Sequence, residues 1–223
     1  LLAKQADPGR DVVVVEGGRV AEGATGRNGG FVSSSLTHGF ANGMDRWPDE
    51  MPTLLRLGHE NLDEIEKVVS DLGIECDFVR SGGLDVAVDS HQLAPLEETA
   101  AAATAMGHDH HVLTARELRR RVDSPSYLGG SFDPTGVALV DPARLAWGLR
   151  DACLAMGVRL FERTPVRDLS PREGHVMAMC RRGIVRADRV ALATNGFPPL
   201  LNRLRRYVVP VYDSVLVTEP LTE

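Results

Sequence analysis

The sequence contains few cysteines, and none lies in a pattern that binds metal or builds a disulfide framework. Its 223 residues include three cysteines, Cys76, Cys153 and Cys180, which are widely spaced and form no Cys-x-x-Cys pair. Disulfide scaffolds and structural zinc sites need closely and regularly spaced ligands. The sequence therefore argues against both classes. Because sparse thiols suit a reducing compartment, we expect a cytoplasmic protein.

Long apolar runs and a strong excess of positive charge are also missing. No apolar run approaches the roughly 18 residues that a membrane-spanning helix needs. The formal net charge is -6, from 25 basic and 31 acidic residues. A mildly acidic balance gives no basis for binding nucleic acid or an anionic membrane surface, so we expect neither partner and no transmembrane segment.

The first residues read as the end of a structural unit. Residues 1–6 resemble the last turns of a helix, and Asp7-Pro8-Gly9 is a stop signal after it. The β-branched run at 11–15 predicts a parallel strand covered on both faces, the second half of a βαβ unit. We therefore expect another strand upstream of residue 1. At the other end, a strand is predicted at 215–220 and the sequence stops shortly after it. We therefore interpret the sequence as a fragment.

Helix and strand patterns alternate between these ends. Apolar periodicity and capping signals predict helices at 54–72, 91–106, from Thr114 onward, and from an Asp-Pro N-cap at 141 through 156. Short β-branched runs predict strands at 158–161, 166–169, 176–180 and 190–194. Segments 74–79 and 84–88 flank a Ser-Gly-Gly and predict a hairpin. This mixture predicts an α/β fold with α+β character, in which a largely antiparallel insertion interrupts a nucleotide-binding core.

A glutamate, Glu16, stands immediately after the predicted valine strand. In a dinucleotide-binding βαβ unit, an acidic residue at the carboxyl end of the second strand accepts hydrogen bonds from the adenosine ribose hydroxyls. A carboxylate suits this position because it offers several lone pairs and no competing donor. Glu16 is therefore a candidate ribose ligand, and the alternative is a surface glutamate at a strand end.

A glycine-rich loop follows at residues 23–30, with the sequence Gly-Ala-Thr-Gly-Arg-Asn-Gly-Gly. Glycine lets the backbone approach a ligand closely, and the loop amides, the Thr25 hydroxyl and the Arg27 guanidinium suit phosphate oxygens. The loop lacks the Gly-Lys-Ser/Thr ending of a Walker P-loop. The alternative is a flexible linker, but a linker would not be expected to carry arginine and asparagine among its glycines.

Residues 12–30, VVVVEGGRVAEGATGRNGG, resemble the second strand and following loop of the D-amino-acid-oxidase-type FAD oxidoreductases. The likeness is greatest to the branch of glycine/D-amino-acid oxidases and γ-glutamylputrescine oxidoreductases. Two later segments resemble the same family in order and spacing: the P-x-x-L, G-V and T-x-V stretch at 142–166, and the strand ending at 193–196. The resemblance covers nearly the whole chain.

The resemblance implies an FAD cofactor and the residues around it. Glu16 would hold the ribose, the 24–30 loop would run beside the pyrophosphate, and the Val166 backbone would lie against the adenine. The strand ending at 196 would lie beneath the flavin, although a tight turn is the alternative for Asn195-Gly196. The implied FAD-binding residues are Glu16, Gly17, Ala24, Thr25, Gly26, Arg27, Asn28, Gly29, Gly30, Val166, Ala193, Thr194, Asn195 and Gly196.

Two parts of the family pattern are missing from the sequence. The upstream Gly-x-Gly-x-x-Gly, which would place a pyrophosphate at a helix N-terminus, is absent, as is the C-terminal part that completes the flavin pocket. The resemblance implies an incomplete, Rossmann-like FAD-binding domain at 1–46 and 141–203. A partial substrate-binding domain is implied at 47–140 and 204–223. We therefore do not expect this chain alone to encode a full FAD site.

The implied activity is oxidation of a small amine or amino acid by hydride transfer to FAD. The cofactor performs the difficult step in such enzymes, so an evident acid–base dyad is not required, and we assign no catalytic residue. A flavin dehydrogenase or demethylating enzyme of the same superfamily, acting on N-methyl amino acids or a polyol phosphate, is one alternative. A truncated, catalytically silent fragment is another, whereas an NAD-only dehydrogenase fits the 24–30 and 193–196 segments less well.

Histidine and tryptophan give weaker signals. His38 follows the glycine loop and is a candidate for orienting substrate, against a structural role. The His-Asp-His-His run at 108–111 contains metal-ligand residue types, but adjacent ligands rarely converge on one ion, so we interpret it as a solvated loop and expect no metal site. Trp147 is interpreted as a core or interface residue.

Overall fold

The computed structural model describes residues 1–197, 200–211, 214, 216, 218 and 219 of the chain. Its internal contacts divide it into two units. Unit 1 comprises residues 1–29 and 146–223, and unit 2 comprises residues 30–145. Both units combine helices with strands, so the predicted mixed α/β fold class is confirmed.

The regular elements are short apart from three of the helices. The α-helices are α1 (Leu2–Ala6), α2 (Phe40–Arg46), α3 (Met51–Asp71), α4 (Leu93–Ala105), α5 (Ala115–Arg119) and α6 (Pro142–Ala155). The strands are β1 (Val13–Val15), β2 (Phe31–Ser33), β3 (Gly83–Ala87), β4 (His111–Thr114), β5 (Gly129–Asp133), β6 (Val137–Leu139), β7 (Arg159–Phe161), β8 (Val166–Arg172), β9 (His175–Cys180) and β10 (Gly183–Ala187).

Unit 1 is built on a parallel pair of strands and an antiparallel sheet. β1 pairs in parallel with β7, with Val13 opposite Arg159 and Val15 opposite Phe161. β8, β9 and β10 form a three-stranded antiparallel sheet in the order β10-β9-β8. The predicted parallel pairing of β1 is confirmed. The prediction that both faces of β1 are covered is wrong, because Val14 is 40% exposed. In the described part of the chain, β7 is the strand paired with β1.

Unit 2 contains two antiparallel sheets and most of the buried apolar side chains. β2 pairs with β6, and the second sheet has the order β3-β5-β4. On α3, the buried residues are Met51, Gly58, Leu62 and Val69. Their spacing of seven, four and seven residues places them on one face of the helix, so the predicted amphipathic helix is confirmed. Of the apolar residues predicted to form its buried face, Leu62 and Val69 are buried, whereas Leu72 follows the last helical residue and is 37% exposed.

Gly58 marks the closest approach of α3 to another part of unit 2. A Cβ atom at this position would lie 1.8 Å from the carbonyl oxygen of Ser34, the residue that follows β2. Real side chains do not tolerate that separation, so the helix can lie against this backbone only because residue 58 is glycine.

Arg80 joins α3 to the turn between β5 and β6. Its Nε atom donates to Glu66 Oε2 at 2.9 Å, its Nη2 atom pairs with Asp63, and its Nη1 atom donates to the Thr135 carbonyl oxygen at 3.0 Å. The guanidinium has donors in a fixed planar arrangement, so one side chain satisfies both carboxylates and a backbone acceptor. Arg80 therefore links three separate segments of unit 2.

Several local predictions are confirmed by the structure. The α6 N-cap is present, because Asp141 Oδ1 accepts from the backbone N–H groups of Ala143 and Arg144 at 2.9 and 3.0 Å. A capping box opens α5, in which the side chains of Thr114 and Glu117 each accept from the other residue's backbone N–H. These signals involve residues a few positions apart, which is why the sequence displays them.

Two strand predictions are wrong. Segments 74–79 and 84–88 do not form a hairpin, because β3 pairs with β5 and Val79 makes an isolated bridge to Leu139. Residues 190–194 form no strand, since within the described part of the chain no strand pairs with them, and Val190 and Leu192 are 40% and 37% exposed. An apolar run indicates extended backbone without specifying a partner. Half of the residues of the strand predicted at 215–220, namely 215, 217 and 220, lie outside the described residues.

Among the described residues, no helix combines the length and the apolar character that crossing a membrane requires.

Candidate functional site

The carboxyl end of β1 is held by two backbone hydrogen bonds of Glu16, one donated and one accepted. The N–H of Glu16 donates to the carbonyl oxygen of Phe161 at 2.9 Å, which continues the parallel pairing by one residue. The N–H of Thr164 then donates to the carbonyl oxygen of Glu16 at 2.8 Å. The backbone of Glu16 is thus held against the segment that follows β7, and this fixes the position from which its side chain projects.

The carboxylate of Glu16 is half-buried and oriented by its own loop. Its Oε1 atom accepts from the backbone N–H of Gly18 at 2.8 Å. A carboxylate can accept about four hydrogen bonds, so this contact leaves Oε2 and further lone pairs for an incoming donor. Such a group is suited to the two adjacent hydroxyls of a ribose.

The residues after Glu16 face the residues that precede β8. Gly18 accepts at its carbonyl oxygen from the N–H of Arg163 at 2.7 Å, and a Cβ on Gly17 would lie 3.8 Å from the Cβ of Pro165. The structure therefore brings residues 16–18 together with residues 163–165, which lead directly into Val166. Val166 begins β8 opposite Cys180, and the ladder is irregular between Val166 and Asp168.

The glycine-rich loop contains one turn of 3-10 helix at Ala24–Gly26. The Asn28 side-chain amide donates to the carbonyl oxygens of Ala24 and Thr25 at 3.1 and 2.9 Å, so this side chain stabilises the loop itself. A Cβ on Gly26 would lie 2.2 Å from the carbonyl oxygen of Ala21. Glycine is therefore required at position 26 by the packing of the loop itself, whether or not a ligand is bound.

Two polar groups of the loop remain accessible to a ligand. Thr25 and Arg27 are both exposed, and within the described part of the chain neither the Thr25 hydroxyl nor the Arg27 guanidinium makes a hydrogen bond or an ion pair. Both groups donate hydrogen bonds and suit the oxygens of an anion such as a phosphate. Gly30, the last residue of the loop, lies in unit 2 and has a different role. Its φ is +75°, and a Cβ atom at this position would lie 2.1 Å from the carbonyl oxygen of Val140, so only glycine fits there.

The last predicted segment, Ala193–Gly196, ends in a tight turn. Asn195 has a φ of +47°, and the N–H of Phe197 donates to the carbonyl oxygen of Thr194 at 3.1 Å. A Cβ on Gly196 would lie 3.7 Å from the side chain of Pro210. Among the described residues, no hydrogen bond joins residues 193–197 to residues 16–27.

His38 belongs to unit 2, in a loop that is extensively hydrogen-bonded. Its φ is +56°, and Gly39 follows with a φ of +105°. The Ser35 hydroxyl accepts from the N–H of Gly39 at 2.8 Å, and the Thr37 hydroxyl donates to the carbonyl oxygen of Gly39 at 2.8 Å. These contacts hold the backbone in a conformation that L-residues seldom adopt, while the His38 side chain is exposed.

A cleft of about 640 Å³ in unit 1 was not predicted from the sequence. It is lined by Arg19, Val20, Ala21, Glu22, Trp147, Arg150, Glu162 and Arg163. The indole N–H of Trp147 donates to the carbonyl oxygen of Val20 at 3.2 Å, while the indole is 45% exposed. Trp147 is therefore not a core residue of unit 1. No sequence signal indicates this, because the contact joins residues 127 positions apart.

The whole chain matches the sequence profile of one protein family. The profile of the family described as DAO, FAD dependent oxidoreductase, matches residues 1–223. The chain is 32% identical over 229 residues to the gamma-glutamylputrescine oxidoreductase of Escherichia coli. It is 30% identical over 230 residues to a probable oxidoreductase OrdL of Haemophilus influenzae. Each alignment covers 98% of this chain but only 51% and 52% of the relative, so the chain spans about half the length of these curated relatives.

Solved structures share the fold at lower sequence identity. A glycine oxidase from Geobacillus kaustophilus has a TM-score of 0.70 and 20% identity, with 84% of this chain and 49% of that chain covered. The amino acid oxidase NikD has a TM-score of 0.64 and 23% identity, with 89% and 48% covered. These similarities confirm the fold class.

Proposed function

The chain belongs to the DAO family of FAD dependent oxidoreductases, and from this membership we propose that the protein that carries it oxidises a small amine or amino acid by hydride transfer to FAD. The names of its relatives support this substrate class. They include a gamma-glutamylputrescine oxidoreductase and the beta subunit of a sarcosine oxidase among curated proteins. Proteins of the same fold include glycine oxidases and an L-proline dehydrogenase.

The residues at the end of β1 fit the adenosine half of FAD. The observation that supports FAD binding by this chain is the Glu16 carboxylate, which is half-buried, oriented by the Gly18 N–H and left with Oε2 available. It would accept from the two ribose hydroxyls, because carboxylates bind vicinal hydroxyls without offering a competing donor. The neighbouring backbone at Val166 would lie against the adenine. FAD, when bound, supplies the acceptor for the hydride that leaves the substrate carbon.

The loop at 24–30 supplies donors for the pyrophosphate. Arg27 would contribute charge and hydrogen bonds, and Thr25 would contribute a hydroxyl donor. Ala24, Gly26, Asn28 and Gly29 would shape the loop, since Asn28 bonds to the loop carbonyls and Gly26 permits the approach to Ala21, and Gly30 would end it. The role of this chain is therefore to bind and orient the cofactor.

The remaining assignments extend this proposal to the rest of the chain. We assign residues 1–46 and 141–203 to the FAD-binding domain, and 47–140 and 204–223 to the substrate-binding domain. Residues Gly17, Ala193, Thr194, Asn195 and Gly196 would offer small side chains or backbone to the cofactor. His38 would orient the substrate, which is supported by its exposed imidazole on a hydrogen-bonded loop.

Two alternatives are separated by simple measurements. A dehydrogenase would reduce a dye or another acceptor without releasing peroxide in air. A demethylating enzyme would instead be identified by formaldehyde, which forms when the N-methyl group of its substrate is oxidised. A catalytically silent fragment is the other alternative, and the chain spans about half the length of its curated relatives. Flavin retained by the longer protein but not by the 223-residue chain would support the fragment interpretation.

The proposed activity is tested by anaerobic reduction of the bound flavin. The full-length protein that carries this chain would be mixed without oxygen with glycine, D-amino acids, sarcosine and γ-glutamylated diamines. We expect at least one of these substrates to bleach the absorbance of the oxidised flavin, and air to restore it with release of peroxide. A protein that holds flavin but is bleached by none of them would contradict the proposed substrate class.

A further inference from the structure

Two histidines of unit 2 lie in direct contact although 49 residues separate them. His59 is on α3, and His108 lies in the turn between α4 and β4. The Nε2 atom of His59 is 3.1 Å from the Nδ1 atom of His108. The ring centroids are 4.9 Å apart, with an angle of 21° between the ring planes. Both side chains are half-buried, so the contact is part of the packing of unit 2.

These distances match two imidazoles that share one metal ion. Ligand nitrogens about 2.05 Å from an ion are about 2.9 Å apart at a right angle and about 3.4 Å apart at the tetrahedral angle. The ring centroids, about 1.15 Å behind each nitrogen, would then be about 4.5–5.2 Å apart. The measured 3.1 Å and 4.9 Å fall inside both intervals. In the present arrangement the two nitrogens are within hydrogen-bond distance of each other and the rings are near-parallel. The pair therefore has the separation of two ligands of one ion, and binding would require the imidazole rings to turn about their side-chain bonds until both nitrogens face it.

The surroundings determine how many protein ligands such an ion would have. His110 contacts other groups, with Nδ1 3.4 Å from Ser131 Oγ and Nε2 3.8 Å from Asp133 Oδ2. Within the described part of the chain, no three histidine, cysteine, aspartate or glutamate side chains are arranged around one point. An ion here would thus have two imidazole ligands, and water would occupy its other positions.

We propose that His59 and His108 form a binding site for a divalent cation of the zinc, nickel and copper class. Imidazole nitrogen is a preferred ligand for these ions and a poor one for calcium or magnesium. Bound between α3 and the turn after α4, the ion would cross-link two segments of unit 2. The site is independent of the flavin proposal, because none of the proposed FAD-binding residues takes part in it.

Calorimetric titration of the tag-free chain with ZnCl₂ and then NiCl₂ at pH 7.5 tests this site. We expect about one ion per chain, and a rise in melting temperature with Zn²⁺, because a ligand that binds only the folded state stabilises it. His59→Ala and His108→Ala should each weaken binding by roughly tenfold or more, since each removes one of two ligands. His91→Ala is the matched control, because His91 is exposed and paired with Asp89 outside the site.

Conservative variants keep the test decisive if an alanine variant does not fold. His59→Gln and His108→Asn retain polar side chains of similar size, and circular dichroism establishes that each is folded. MgCl₂ serves as a control cation and should produce neither heat nor stabilisation. The proposal is overturned if folded wild-type chain binds no Zn²⁺ at millimolar concentration, or if binding survives substitution of both histidines.

Discussion

Replacing Gly58 with alanine has two opposite effects on the stability of unit 2. The higher helix propensity of alanine is stabilising, and the contact of its Cβ with the Ser34 backbone is destabilising. Within a helix, alanine is more favourable than glycine by about 0.8–1 kcal/mol, so propensity alone predicts a gain in stability. At this position the new Cβ would be 1.8 Å from the Ser34 carbonyl oxygen and 2.9 Å from its carbon. An ordinary carbon–oxygen contact is about 3.4 Å, so α3 would have to move by more than 1 Å.

Moving a buried helix disturbs its other contacts. Met51, Leu62 and Val69 pack on the same face of α3 as Gly58 and would lose part of their burial. Overpacking of this kind costs typically about 1–3 kcal/mol, and more where backbone cannot yield. Because the obstacle here is the Ser34 backbone, the upper part of that range, about 2–3 kcal/mol, applies. After the propensity gain of about 1 kcal/mol is subtracted, we expect Gly58→Ala to lower the free energy of unfolding by about 1–2 kcal/mol. For a chain of this size that corresponds to roughly 2–8 °C in melting temperature.

Urea and thermal denaturation followed by circular dichroism would measure this change. Gly183→Ala is the matched control, because a Cβ at that position meets no atom within 4 Å. It should leave stability within about 0.5 kcal/mol of the wild type, as surface substitutions usually do. A Gly58→Ala variant as stable as the wild type, or more so, would refute the described approach of α3 to Ser34.

Three further predictions concern single side chains. Asp141→Ala should lower the free energy of unfolding by about 1 kcal/mol in a urea melt, because it removes the N-cap of α6. Arg80→Met should cost a similar amount, about 1 kcal/mol, because it keeps the apolar stem but removes the link between three segments. Burial raises the pKa of the Cys76 thiol, so iodoacetamide at pH 8 should alkylate it more slowly than Cys153 and Cys180.

Each of these predictions has a control in the same chain. Asp123→Ala removes an exposed aspartate that caps no helix and should leave the urea midpoint unchanged. Arg181→Met removes an exposed arginine from the turn between β9 and β10, and a loss as large as that of Arg80→Met would argue against the described contacts of Arg80. Alkylation of Cys76 at the rate of the other two thiols would contradict its 1% exposure. In urea, where burial is lost, the three rates should converge.

The sequence predicted those features whose causes lie within a few residues. The N-cap at Asp141, the capping box at Thr114 and the periodicity of α3 are local, and each is present in the structure. The position of Glu16 after a β-branched run is equally local. Its backbone partners, Phe161 and Thr164, come from about 150 residues away, so no pattern around Glu16 indicates them.

Strand pairing was predictable only in part because partners are distant in sequence. β3 pairs with β5, which begins 46 residues after the first residue of β3. β5 opens with two glycines and a serine that lack any strand pattern. The structure explains one of them, since a Cβ on Gly130 would be 2.5 Å from the carbonyl oxygen of Asp85. Residues 190–194 illustrate the opposite error, because their apolar composition says nothing about a pairing strand.

The central claim is that Glu16 holds the ribose of FAD, and its most direct test is the affinity for FAD of the Glu16→Gln variant. Quenching of flavin fluorescence would be measured on the flavin-depleted full-length protein, with Glu173→Gln as control, because Glu173 is exposed in the turn between β8 and β9. Losing a charged acceptor of two ribose hydroxyls costs about 2 kcal/mol, which is roughly a 30-fold rise in Kd. The account predicts that rise for Glu16→Gln and none for Glu173→Gln. Equal FAD affinity in the wild type and the Glu16→Gln variant would contradict it.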